Sequence, residues 1–121
     1  MVLHRWCGTI FAFTGEDDTM EIRTKTDDRA LTVSLRGELD HHAAKETVTA
    51  LERALDVALP MYLTLDFGGV TFMDSSGIAV VMRAYRRMTA LGGRLALINV
   101  PVQAKKVLDA AGIAARVTTE G

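Results

Sequence analysis

Phe72-Met73-Asp74-Ser75-Ser76-Gly77-Ile78 is the stretch whose reading decides the fold. A strand-like run, Met61-Tyr62-Leu63-Thr64-Leu65-Asp66, comes shortly before it, and an apolar-periodic pattern from Ile78 to Met88 follows it directly. Two adjacent serines therefore fall where a loop turns into a helix. Such a junction presents unpaired backbone N–H groups and the positive end of the helix dipole, which favour a negative group. A serine here is placed to accept a phosphate, and Asp74 or Ser75 is equally placed to do no more than cap the helix.

Working outward, Ile78, Val81, Met82, Tyr85 and Met88 form the apolar stripe of this helix, which Leu91-Gly92-Gly93 closes with a glycine cap. Arg94 to Val100 reads as a strand. Pro101 opens a short helix reaching Ala111, with Val102, Val107 and Leu108 as its apolar contacts, and Ala115 to Thr118 as a last strand. Upstream, Pro60 stops a helix whose stripe is Ala44, Val48, Leu51, Leu55 and Ala58, and which Asp40 is placed to cap. The apolar run from Met61 to Leu65 implies a strand buried on both faces. Leu31, Val33 and Leu35 alternate with polar residues over 30–36, a half-buried strand that Gly37-Glu38-Leu39-Asp40 ends. Glu21 to Thr26 reads as an edge strand, joined to it through a turn at Asp27-Asp28.

Strands separated by helices imply crossover connections and a largely parallel sheet. The expectation is a single α/β domain over 20–121: a mostly parallel sheet of four to five strands, an antiparallel edge hairpin and about three packed helices. Residues 1–19 form a leader with a brief, broken apolar run and no cleavage pattern, so a signal peptide is not expected. The leader reads equally as an extra strand, a flexible tail or residues upstream of the true start.

The bulk properties exclude several classes. At 121 residues, 49% hydrophobic and 24% charged, the chain has the balance of one ordinary globular domain. No apolar run approaches the roughly 18 residues that span a bilayer. The single cysteine, Cys7, forms no internal disulfide, so cytoplasm is the default compartment. Net charge is −1, which gives no overall attraction for nucleic acid, and the one basic cluster, Arg83, Arg86 and Arg87, reads as a solvated helix face.

Catalysis is poorly served. Asp74-Ser75-Ser76-Gly77 is not the Gly-x-Ser-x-Gly elbow, and His41 or His42 as base lacks an evident orienting partner. Gly68-Gly69 lacks the spacing and the lysine ending of a phosphate-binding loop. A metal site would need more ligands than the His41-His42 pair. A binding module switched by modification fits better. A phosphoserine adds about −1.5 to −2 charge, and a coupling of about 1–3 kcal/mol shifts a partner's affinity roughly 5–150-fold.

Leu35-Arg36-Gly37-Glu38-Leu39-Asp40-His41-His42 and Val70-Thr71-Phe72-Met73-Asp74-Ser75-Ser76-Gly77-Ile78 resemble the two signature stretches of STAS-domain anti-anti-sigma factors, closest to the anti-sigma F factor antagonists of sporulation. The resemblance covers about Met20 to Thr118. It implies a non-enzymatic regulator without a cofactor, which binds an anti-sigma factor that is also a serine kinase and so frees the sigma factor. It also implies that the kinase, holding ATP, phosphorylates Ser75 and that the phosphorylated form lets go. A metal-dependent serine phosphatase then resets the switch. Gly37, Glu38, Leu39, Asp40, His41 and His42, with Met73, Asp74, Ser76, Gly77 and Ile78, are implied as the docking surface. Two features depart from the family pattern: the leader before Met20, and an end at Gly121 where members often continue into a helix that helps close one sheet face. The alternatives are a STAS module of another stress-response pathway and a small-ligand or nucleotide-binding domain.

Overall fold

Leu31, Val33 and Leu35 are buried while Thr32 and Ser34 between them are only half-buried, and the same alternation runs through the neighbouring strands. Side chains on a strand point to opposite faces in turn, so this pattern gives the sheet one core face and one polar face. The computed structural model describes residues 9–12, 21–113 and 118–119. Its elements run β1 (Thr9–Ala12), β2 (Glu21–Asp27), β3 (Ala30–Leu39), α1 (His41–Ala58), β4 (Tyr62–Met73), α2 (Ser76–Leu91), β5 (Arg94–Ile98), α3 (Val102–Ala110) and β6 (Thr118–Thr119).

The six strands lie in the order in which they occur in the chain. β1, β2 and β3 are antiparallel neighbours, and β3, β4, β5 and β6 run parallel. The α/β domain with a mixed sheet and three helices is thus as expected, with β1 as a strand beyond the four to five anticipated. β1 comes from the leader and pairs outside β2, so β2 is not the sheet edge: Phe11 stands beside Ile22, and Ala12 beside Glu21. The last strand is the two-residue β6; residues 114–117, where it was expected to begin, lie outside the described residues.

The β2–β3 turn sits at Asp28-Arg29, one residue later than expected, with Asp28 at φ 61°, a backbone sign suited to tight hairpins. β4 is not buried on both faces. Leu63, Leu65 and Phe67 enter the core, whereas Thr64 and Asp66 point to the polar face, where Arg23, Lys25, Ser34, Arg36, Asp66 and Asn99 help line a groove of ≈ 770 Å³. Both central strands also run further than their sequence patterns imply, β3 to Leu39 and β4 to Met73. That extension shrinks the anticipated serine loop to a tight turn.

The helices close the core face. α1 buries Ala43, Ala44, Thr47, Ala50, Leu51 and Leu55, and α2 buries Gly77, Val80, Val81, Ala84 and Met88. Small residues therefore carry much of the contact, and Val48, Ile78, Met82 and Tyr85 pack at its margin. Arg83 and Arg87 of α2 reach Glu52 of α1 at 3.5 and 4.0 Å, and Arg87 also bonds Asp56. The Asp56 hydrogen bond holds the Arg87 guanidinium above its ordinary pKa. Two of the three clustered arginines thus serve as struts between helices. In α3, Ala104 and Leu108 are buried, while Val102, expected inward, is 73% exposed. Pro101 stands just before the helix, and its carbonyl accepts from Lys105 N–H at 2.8 Å. Among the described residues, no helix is long and apolar enough to cross a membrane.

Candidate functional site

β3 and β4 run parallel, so their C-terminal ends emerge at the same edge of the domain. Leu39 stands beside Met73, and Asp74 N–H donates to the Leu39 carbonyl at 3.4 Å. Each strand passes straight into a helix. Asp40 is the N-cap of α1, its Oδ1 accepting from Ala43 N–H at 3.0 Å. Asp74 does the same work for α2, its Oδ1 accepting from Ser76 N–H at 2.8 Å. The two sequence motifs therefore meet as adjacent helix starts at the carboxyl ends of neighbouring parallel strands, a position where α/β sheets commonly carry binding sites.

Reaching that edge in register takes two irregularities. The β3–β4 pairing shifts between Ser34 and Arg36 and again between Gly37 and Glu38, and Gly37 adopts φ 119°, which glycine alone adopts without strain. Across this region Phe67, Val70 and Met73 turn inward at intervals of three instead of two, which leaves Thr71 and Phe72 outside. Phe72 is 41% exposed beside Glu38.

The turn itself separates the two serines. Ser75 is exposed and its side chain makes no capping hydrogen bond, whereas Ser76 is half-buried. The backbone donors at this helix start are not free, contrary to the simple expectation for such a junction. Ser76 N–H goes to the Asp74 carboxylate, Gly77 N–H to the Asp74 carbonyl at 2.9 Å, and Ile78 N–H to the Ser75 carbonyl at 3.1 Å. An anion on Ser75 Oγ would gain from the helix dipole but would find those three donors already engaged.

The remaining residues expected at the docking surface divide by burial. Glu38, His41 and His42 are exposed, and Gly37, Asp40, Asp74 and Ile78 are half-buried. Leu39, Met73 and Gly77 are buried and offer a partner no side-chain surface. Their part is to set the turn: a β-carbon on Gly77 would lie 2.5 Å from Met73 Cγ. Among the described residues, no three His, Cys, Asp or Glu side chains gather as a metal site would require.

Two residues beside the turn carry no legible sequence signal, and a third, Val102, is exposed where an inward contact was expected. Phe72 lies within the key stretch, but its exposure depends on the register shifts. Val102 is exposed on the first turn of α3. Gln103, a lone amide on a short helix, bonds the Met73 backbone twice: its Oε1 accepts from Met73 N–H at 2.9 Å and its Nε2 donates to the Met73 carbonyl at 2.8 Å.

A mixed sheet with a parallel β3-α1-β4-α2-β5 core, and an exposed serine where β4 meets α2, define the class. Residues 21–120 match the STAS domain family, and the chain belongs to it. It is 31% identical over 83 residues to the anti-sigma F factor antagonist of Paenibacillus polymyxa, covering 69% of this chain and 71% of that protein. It is 32% identical over 81 residues to the same-named protein of Lysinibacillus sphaericus, covering 67% and 69%. Among solved structures, the unphosphorylated form of the anti-sigma factor antagonist SpoIIAA is 26% identical with a TM-score of 0.70, covering 81% of this chain and 86% of that one. The phosphorylated form of the Bacillus protein gives a TM-score of 0.64 at the same identity, covering 81% and 89%.

Proposed function

We propose that this chain is an anti-sigma factor antagonist switched at Ser75. In its unphosphorylated form it binds an anti-sigma factor that is also a serine kinase, and the sigma factor is freed. The kinase then transfers the γ-phosphoryl group of its bound ATP to Ser75 Oγ: the bond to the β–γ bridging oxygen breaks, ADP leaves, and the hydroxyl proton passes to a base of the kinase. The phosphorylated chain releases its partner until a serine phosphatase resets it. The chain is a substrate and a ligand in this cycle, with no catalytic residue and no cofactor of its own. The cycle runs in the cytoplasm, and it calls for no nucleic-acid or membrane contact.

The observation that carries this reading is the exposed hydroxyl of Ser75, free of any capping bond, at the strand-end edge where the Leu39–Met73 pair also brings the start of α1. Glu38 at the end of β3, Asp40 at the start of α1 and Asp74 in the turn bring three carboxylates to the same edge of the sheet. A phosphate there adds like charge and bulk to the contact face, and its effect falls on the docked partner more than on the fold. The similarity to a protein solved in both phosphorylated and unphosphorylated forms supports the same reading.

Incubating the chain with ATP, Mg²⁺ and an anti-sigma serine kinase from the same organism, followed by mass spectrometry, tests it. One phosphate on the peptide bearing Ser75 is expected, and none on Ser75→Ala. Undiminished phosphate uptake by Ser75→Ala would move the acceptor elsewhere, with Ser76 next in order. The groove on the polar sheet face favours a second reading, a small-ligand or nucleotide-binding domain. Tight ATP binding by the isolated chain would count for it and against a pure docking module.

A further inference from the structure

Among the described residues, the last residues of β4 have a strand neighbour on one side only. β3 accompanies β4 as far as the Leu39–Met73 pair, whereas β5 leaves it at the Asp66–Ile98 pair. On the vacated side Gln103, the second residue of α3, meets Met73 through both amide atoms, at 2.9 and 2.8 Å. A primary amide offers one donor and one acceptor side by side, the same pair that a flanking strand would offer. Gln103 thus stands in for the missing strand at a single residue, the one directly before Asp74-Ser75.

We propose that Gln103 is a positioning residue for the acceptor serine: its amide fixes the final residue of β4, and with it the direction in which Ser75 Oγ is presented. The proposal rests on the reading of Ser75 as the phosphate acceptor. The other hydrogen bonds of the turn are either local, within residues 74–78, or reach β3 through the long 3.4 Å contact to Leu39. Gln103 ties the turn to a separate element, because Ala104 beside it and Leu108 one turn on bury α3 in the core. The loss of Gln103 would leave the N–H and the carbonyl of the buried Met73 without this partner, so some stability goes with it, but the consequence that marks a positioning role is orientation. Phosphoryl transfer to a misdirected hydroxyl is slow even when docking is intact.

The test uses the full chain, an anti-sigma serine kinase from the same organism, and ATP with Mg²⁺. Gln103→Ala should lower kcat for Ser75 phosphorylation at least about tenfold while KM shifts less than about threefold, since the docking residues are untouched. Amide exchange at Met73 should quicken about tenfold or more, beyond what any shift of the unfolding midpoint accounts for. Gln103→Glu keeps the acceptor for Met73 N–H and loses the donor to its carbonyl, so it should fall between wild type and Gln103→Ala. Wild-type kcat and KM in Gln103→Ala would overturn the proposal, as would unchanged exchange at Met73. A raised KM at constant kcat would make Gln103 a docking residue and overturn it equally. Absence of phosphate on Ser75 in the wild-type chain refutes the acceptor reading and this proposal with it. A phosphorylated wild type with an unaffected Gln103→Ala removes this proposal alone.

Discussion

A β-carbon at Gly77 would stand 2.5 Å from Met73 Cγ and 2.8 Å from its Sδ, so the first turn of α2 closes over the last residue of β4 with no room for a side chain. Gly77→Ala sets two effects against each other. Alanine gains helix propensity worth at most about 1 kcal/mol, less than that so near the helix start. Overpacking costs about 1–3 kcal/mol, and the atom struck is Cγ, close to the backbone and poorly able to move away. The second effect wins. Denaturant unfolding should show a loss of about 1–2 kcal/mol; a stabilised Gly77→Ala would refute the packing argument.

Thr47 gives the opposite case. It is fully buried on α1, and among the described residues its Oγ1 has no hydrogen-bond partner. Thr47→Val keeps the shape and removes the orphaned hydroxyl, so stability should rise by about 1 kcal/mol. Thermal unfolding reads the sign directly. A lower midpoint would mean that the hydroxyl has a partner after all.

Asp40 caps α1 and also lies at the proposed docking face, and two substitutions separate those roles. Asp40→Ala loses the bond to Ala43 N–H and should cost about 1 kcal/mol, whereas Asp40→Asn keeps an acceptor and should cost little. Partner affinity that falls in both variants, while only the alanine form loses stability, would mark the charge as a recognition element.

Phe72 tests the extent of the docking face. Its ring is 41% exposed next to Glu38 and on the peptide before Met73. Interface aromatics often dominate binding, so Phe72→Ala should weaken partner binding by about tenfold or more. Titration calorimetry with the anti-sigma partner measures this, and unchanged affinity would confine the face to the turn and the α1 start.

Ser75→Ala should bind that partner as the wild type does, and Ser75→Asp should bind more weakly, by roughly 5–150-fold if the added charge reports the full coupling. Equal affinity of the two variants would argue that charge at this turn is not what releases the partner.

Much of this was legible in the chain. Leu31, Val33 and Leu35 marked their strand because a half-buried sheet imposes a period of two, and Asp40 marked its helix because few residues satisfy an N-cap. What escaped depends on contacts between distant segments. β3 and β4 outran their patterns because the shifts near Gly37 and Gly68-Gly69 break the period while the pairing continues. The stripe of α2 reads from its large apolar residues, Ile78, Val81, Met82, Tyr85 and Met88, whereas the helix also buries the small Gly77 and Ala84. Gln103 left no trace, since nothing local distinguishes an amide that bonds a peptide thirty positions away from one that bonds water.

The pairing of Leu39 with Met73 has one more consequence, for quality control. The sequence Asp74-Ser75-Ser76-Gly77 is present on every copy as soon as it is synthesised, but the stretch Gly37 to His42 comes to lie beside it only when the β3-α1-β4 crossover closes. A kinase that reads both strand ends would pass over nascent or misfolded chains and count only native ones. The ratio of modified to unmodified molecules would then be taken over competent copies alone, so the setting of the switch would be insulated from fluctuations in how much of the protein is still unfolded.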